Sequence, residues 1–148
     1  SLADLVQDVF QKFELAAEAR QQTLVPDIAP GLPAIAADVG MIERVLTNLL
    51  DNAIRHTPAG GRIEVTLRRG ERGVEVRVSD NGPGIPAALH EQLFARPSFQ
   101  SGMRGAAGGL GLVIVQRILQ LHGSDIRLEP HTAQGAAFSF CLGAAAVA

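Results

Sequence analysis

The sequence has little of three features that often set a protein's class: cysteine, net charge and long apolar runs. Cys141 is the one cysteine of the chain, so no disulfide can form within it, which fits a reducing compartment. The formal net charge is −2, so there is no electrostatic reason to expect nucleic acid or an anionic membrane as the main partner. We find no signal peptide and no apolar run of about 18 residues. We therefore expect a soluble, cytoplasmic fragment that makes no direct membrane contact, from a parent that an inner membrane could still anchor.

What is present is typical of a globular protein: 148 residues, 47% of them hydrophobic and 19% charged, which suits one domain over 1–148. The apolar periodicity predicts alternating helices and strands. In chain order these are a helix over 2–22, strand pieces at 24–25 and 35–36, a helix that Asp38 caps and that runs to about Thr57, a hairpin of two strands around 63–67 and 74–78, a short helix over 87–94, a glycine-rich loop over 95–109, a helix over 110–121, and strands over 126–128 and 137–142. This order favours a sheet with helices on one face.

The second long helix carries two asparagines at helical spacing. Asn48 and Asn52 lie four residues apart at the border of its apolar stripe, Arg55 falls on the same line, and His56 lies beside it. An amide oxygen is a hard, neutral ligand that suits Mg²⁺, and an arginine there could neutralise phosphate charge. Two alternatives remain open. The asparagines can be ordinary surface residues, and His56 with Thr57 can be only a C-terminal cap.

The second hairpin strand ends in an aspartate that continues its apolar row. Asp80 shares one face with the strand's alternating valines, and a buried carboxylate needs a hydrogen-bond donor. The exocyclic amine of a purine would satisfy it, while Gly82 and Gly84 would let the backbone approach a flat ring. The alternative is an ordinary turn whose aspartate bonds its own backbone.

A run of glycines precedes the last helix. Gly105, Gly108, Gly109 and Gly111 lead into apolar residues, and a helix start offers free N–H groups and a positive dipole end to an anion. No Gly-Lys-Ser/Thr follows and no strand precedes, so the run is neither a Walker loop nor a convincing dinucleotide fingerprint. The alternative is a flexible surface loop with packing glycines.

Together these segments resemble the GHKL ATPase superfamily and, within it, the histidine kinases. The stretch 48–57 resembles the N box, 80–85 the G1 box, Leu93-Phe94 with Phe99 the F box, and 108–112 the G2 box, in matching order over about 2–142. The resemblance implies the Bergerat-type two-layer α/β (α+β) sandwich, with a mixed, mostly antiparallel sheet of about five strands, three main helices on one face, and a lid over about 95–107.

The resemblance also implies roles for individual residues, with ATP and Mg²⁺ as ligands. Asn52 would be the Mg²⁺ ligand with Asn48 adjacent, Arg55 would approach the phosphates, His56 would pack near the nucleotide, and Asp80 would accept from the adenine amine. The remaining residues of the implied pocket are Gly82, Gly84, Ile85, Leu93 and Phe94, and those that meet the phosphates are Gly108, Gly109, Leu110, Gly111 and Leu112. Arg96 and Arg104 are further candidate phosphate contacts in the lid.

Asn48 stands where hydrolytic relatives such as gyrase carry a glutamate that activates water. An asparagine is a far weaker base, so the resemblance implies that the γ-phosphate is kept for a histidine on a separate dimerisation domain, with a response regulator downstream. No convincing acceptor histidine lies in this chain, which we expect to be monomeric in isolation. Ala107 and Ala137 depart from the family pattern, and the lid is short. The altered G2 start and the short lid leave open a degenerate nucleotide-binding or protein-interaction module. A serine kinase of the anti-sigma type, from the same superfamily, is a further alternative.

Overall fold

The computed structural model describes residues 1–82, 110–129 and 135–144. Within these ranges it contains three helices and five strands: α1 (Leu2–Ala19), β1 (Thr23–Ile28), α2 (Val39–His56), β2 (Arg62–Arg69), β3 (Gly73–Asp80), α3 (Leu110–Leu121), β4 (Arg127–Leu128) and β5 (Ala136–Gly143). No helix in the described part of the chain is long and apolar enough to cross a membrane.

Several predictions fall outside the described residues. They are the short helix over 87–94, the lid over 95–107, and the site residues Gly84, Ile85, Leu93, Phe94, Gly108 and Gly109. These stay predictions.

The five strands form one mixed sheet in the order β1-β2-β3-β5-β4. β1 pairs parallel with β2, and the other three pairings are antiparallel. Pro26 lies in β1 at the edge of the sheet, where a residue without an N–H is tolerated. β3 is central, so its last residue, Asp80, is held on both sides, opposite Ile63 of β2 and Ala136 of β5.

The helices cover one face of this sheet. Asp38 caps α2 as predicted, since its Oδ1 accepts a hydrogen bond of 3.0 Å from the backbone N–H of Met41. The predicted apolar stripe of α2 is buried and shares a core with alternate residues of the sheet: Ile42, Val45, Leu46, Leu49, Leu50, Ile63, Val65, Leu67, Val76 and Val78. The arrangement confirms the predicted α/β sandwich with a mixed sheet of five strands.

α1 ends three residues earlier than predicted, at Ala19 rather than at position 22. Gln21 adopts a left-handed conformation with φ of 57°, which ends the helix. The chain then turns so that the side chain of Gln22 is buried against the end of α2, with 7% of its surface exposed. A tertiary contact, rather than local helix propensity, therefore fixes this boundary.

Candidate functional site

Asn52 is the most deeply buried polar side chain that α2 contributes to the predicted site. It is 8% exposed, although the sequence placed it only at the border of the apolar stripe. Its Oδ1 is fully buried and accepts no hydrogen bond from any described residue. A buried carbonyl oxygen without a donor costs about 1–3 kcal/mol. Such an oxygen is a hard ligand available to a cation, so Asn52 fits the Mg²⁺ role that the family resemblance implies.

Asn48, one turn earlier, connects α2 to the beginning of α3. Its Nδ2 donates a hydrogen bond of 3.3 Å to the backbone oxygen of Gly111. At Gly111 a Cβ would meet no atom of the described residues within 4 Å, so none of them packs against this side of the first turn of the helix. Leu112 is different, because its side chain is fully buried in the core. Only the backbone of Leu112 can face a ligand, and for Leu110 the structure describes only the backbone.

The turn after β3 holds Asp80 in a defined position. Its Oδ1 accepts a hydrogen bond of 2.9 Å from the N–H of Gly82, so the local turn bond that the sequence left open is present. Burial nevertheless raises the pKa of this carboxyl group, and the backbone bonds to Gly82 and Ala136 only partly oppose that rise. The carboxylate is thus incompletely compensated, and a further donor, such as a purine amine, would stabilise its charged form.

Gly135 supports Asp80 from the neighbouring strand, and the sequence reasoning missed it. Its φ is 87°, a conformation that favours glycine. A Cβ here would overlap the carbonyl oxygen of Asp80 and lie 3.0 Å from the Cα of Asn81. The one signal in the sequence was a glycine two residues before the last predicted strand, which by itself does not identify the close approach.

His56, the last residue of α2, lies near the turn that contains Asp80. Burial and the charge of Arg55 lower its pKa, whereas Asp80 and Asp51 act in the opposite direction. The imidazole is therefore mainly neutral at pH 7. A Cβ on Gly82 would lie 3.1 Å from the carbonyl oxygen of His56, so the two segments lie close together.

Arg55 lies on the exposed side of the same helix end. The sequence placed it on the line of the asparagines. In the structure its Nε lies 3.3 Å from Oδ2 of Asp51, one turn away, and both side chains are about half exposed. An exposed pair of this kind contributes little to stability, so a phosphate could compete for the guanidinium at small cost.

These contacts bring together the three segments predicted from the sequence. Gly111 accepts a hydrogen bond from Asn48. One turn of α2 separates Asn48 from Asn52, and the next separates Asn52 from His56. The carbonyl oxygen of His56 lies close to Gly82, which follows Asp80 by two residues. The result is a continuous wall that carries amide, imidazole and carboxylate groups.

Residues 37–146 match the family described as "Histidine kinase-, DNA gyrase B-, and HSP90-like ATPase", and the chain belongs to this family. Its sequence and fold are those of the catalytic domains of sensor histidine kinases. It is 39% identical over 141 residues to the alginate biosynthesis sensor protein KinB of Pseudomonas aeruginosa, which covers 95% of this chain and 24% of KinB.

Solved structures of histidine kinases share the fold of this chain. The catalytic domain of the histidine kinase ThkA superposes with a TM-score of 0.83 at 30% identity, covering 97% of this chain and 92% of that one. The structure of ThkA in complex with response regulator protein TrrA gives 0.79 at 26% identity, over 98% and 41% of the two chains. Full-length ShkA in complex with AMPPNP gives 0.84 at 28% identity, over 99% and 31%. The chain spans less than two fifths of the length of the curated relatives that it matches.

Proposed function

We propose that this chain binds ATP together with Mg²⁺ and transfers the γ-phosphate to a histidine on a separate dimerisation domain. The observation that carries this proposal is the buried Oδ1 of Asn52, an acceptor with no donor among the described residues. The incompletely compensated carboxyl of Asp80 supports it. A nucleotide with its metal supplies a partner for each: a cation for the amide oxygen and an amine for the carboxylate.

In this proposal the turn after β3 and the side chains of α2 bind different parts of the nucleotide. Asp80 accepts a hydrogen bond from the adenine amine, and Gly82 lets the ring approach closely. Asn52, with Asn48 beside it, provides the ligands for Mg²⁺, which when bound offsets the charge of the phosphates. Arg55 exchanges its pair with Asp51 for phosphate oxygens. The first turn of α3 adds a positive dipole end next to Asn48.

The chemistry is a displacement at the γ-phosphorus. A nitrogen of the acceptor histidine forms a bond to phosphorus while the bond from phosphorus to the bridging oxygen breaks, and that oxygen leaves with the electron pair as part of ADP. Positioning and charge stabilisation account for most of the rate of such a transfer. Position 48 carries an asparagine, which is a far weaker base than a carboxylate and cannot activate water efficiently. We therefore expect hydrolysis of ATP to be slow.

The partners follow from this reaction. The acceptor lies on the kinase's own dimerisation domain, and a response regulator receives the phosphate next, as the pairing of ThkA with the response regulator protein TrrA supports. The reaction would take place in the cytoplasm, and the isolated chain would be monomeric.

A two-stage assay tests the proposal. Saturable, Mg²⁺-dependent binding of a fluorescent ATP analogue is expected, and Asn52→Ala should abolish its Mg²⁺ dependence. Labelled phosphate should then pass from γ-labelled ATP to a supplied dimerisation domain of a related sensor kinase and be lost in acid. Binding without any transfer would mean a degenerate nucleotide module, and acid-stable label on a small partner protein would mean a serine kinase.

A further inference from the structure

The last turn of α2 carries two residues of the site, yet it ends without a glycine. Its C-cap, Thr57, has φ of −97° and ψ of 126°, an extended conformation. Thr57 closes only one bond, from its N–H to the oxygen of Ala53. The other carbonyls of a helix end need donors from elsewhere. The residues that provide them therefore control where this end of the helix lies.

The donors come from the connection between α1 and β1. Nε2 of Gln22 donates to the oxygen of Ile54 at 2.8 Å and to the oxygen of Thr57 at 2.5 Å. A side-chain amide has two N–H donors, and here both point at one helix end. Arg20 adds an exposed, longer bond of 3.4 Å to the oxygen of Arg55. The buried clamp on α2 is therefore Gln22.

The two acceptors of Gln22 lie on either side of His56 in the chain. His56 and Pro58 also lie close to the turn after β3, because the oxygen of His56 and Cδ of Pro58 would be 3.1 Å and 3.5 Å from a Cβ on Gly82. Movement of the last turn of α2 would therefore shift Asn52 and His56 relative to Asp80.

We infer that Gln22 is a positioning residue for nucleotide binding, although it lies outside every motif that identified the site. Its amide fixes the last turn of α2, and with it Asn52 and His56, at the separation from Asp80 that a nucleotide bridges. The inference rests on the proposed function, because it assigns a role in the same site. Gln22 itself acts through the helix and not by touching the ligand.

Two substitutions separate the donor role from simple packing. Gln22→Met keeps the length of the side chain but removes both donors. Gln22→Lys keeps N–H donors on a longer, positively charged group, which suits the C-terminal end of a helix, and loses the amide oxygen, which has no partner among the described residues. Arg20→Ala is the matched control, since it removes an exposed bond to the same helix end.

We expect Gln22→Met to raise the dissociation constant of the ATP analogue about tenfold, because binding depends on how α2 and the turn after β3 are oriented relative to each other. Arg20→Ala should change it less than about twofold, in line with the small worth of exposed contacts, and Gln22→Lys should restore most of the affinity.

A second measurement uses the nucleotide-free chain. The ring resonances of His56 should move in Gln22→Met and stay in place in Arg20→Ala. If Gln22→Met lowers the thermal midpoint but leaves both the affinity and the His56 resonances unchanged, Gln22 is only structural and the inference is wrong.

Two other outcomes also decide whether Gln22 positions the end of α2. If no variant folds, NMR couplings across the hydrogen bonds from Gln22 Nε2 to the carbonyls of Ile54 and Thr57 decide it in the unaltered chain. Their presence supports the clamp and their absence overturns it. If the unaltered chain binds no nucleotide, the proposed function fails, and an unmoved His56 signal would additionally reject the clamp.

Discussion

Replacing Asn52 by alanine should remove Mg²⁺-dependent nucleotide binding and at the same time stabilise the nucleotide-free protein. The amide oxygen is buried without a donor in the described chain. Removing it recovers about 1–3 kcal/mol, and alanine improves helix propensity over asparagine by about 0.5 kcal/mol. Against these gains stands the small void left by the amide, a loss of up to about 1 kcal/mol.

The net expectation is a free energy of unfolding higher by about 0.5–3.5 kcal/mol, or a thermal midpoint higher by roughly 2–11 °C for a chain of this size. Urea denaturation without nucleotide measures the stability, and titration with the fluorescent ATP analogue, with and without Mg²⁺, measures the function. A gain in stability on removal of a functional group is the expected trade-off at a ligand site.

Asn48→Ala is the control on the same helix. It loses the bond of 3.3 Å to Gly111, worth about 0.5–1.5 kcal/mol, and gains about as much in helix propensity as the Asn52 variant. Its stability should therefore stay the same or fall. If Asn52→Ala instead loses more than about 1 kcal/mol, the oxygen has a structural partner and the metal-ligand reasoning is refuted.

Three further predictions concern the walls of the site. Burial raises the pKa of Asp80 in the folded state above its ordinary 3.8. The stability that its protonated carboxyl group contributes is therefore fully present below pH 3.8 and is lost as pH rises through the folded pKa. ATP affinity should fall on acidification through that pKa, and Asp80→Asn should remove both pH dependences; a slope that persists in the variant belongs to another group. Arg55→Gln should raise the pKa of His56 toward its ordinary 6.5, as followed by NMR titration, and no change would mean that the arginine charge is not felt there. Gly135→Ala should cost at least about 1–3 kcal/mol more than Gly31→Ala, because only the former overlaps the Asp80 backbone although both have positive φ; equal losses in urea denaturation would contradict this.

The elements with strong periodicity were predictable from sequence. α2 has a long apolar stripe and an aspartate cap, and the hairpin strands alternate strictly, so local patterns and tertiary packing agree. The connection after α1 was not predictable, because Gln22 leaves the helical path to bond carbonyls more than 30 residues away in the chain.

The proximity of the predicted segments could be expected from the sequence, but their detailed contacts could not. The motifs selected segments whose described residues lie near one another in the structure, while their roles stay predictions. Spacing alone could not show that Asn52 is buried, that Arg55 turns toward Asp51, or that Gly135 packs on Asp80. Each of these depends on what a neighbouring element places over the residue, which periodicity within one segment does not contain.

A titration of the isotopically labelled chain with ATP, with and without Mg²⁺, tests the central claim most directly. The account predicts saturable binding, with backbone signals of Gly82 and Gly111 shifting together and the side-chain amide of Asn52 shifting only when Mg²⁺ is present. Absence of saturation, or shifts confined to residues far from α2 and the end of β3, would contradict it.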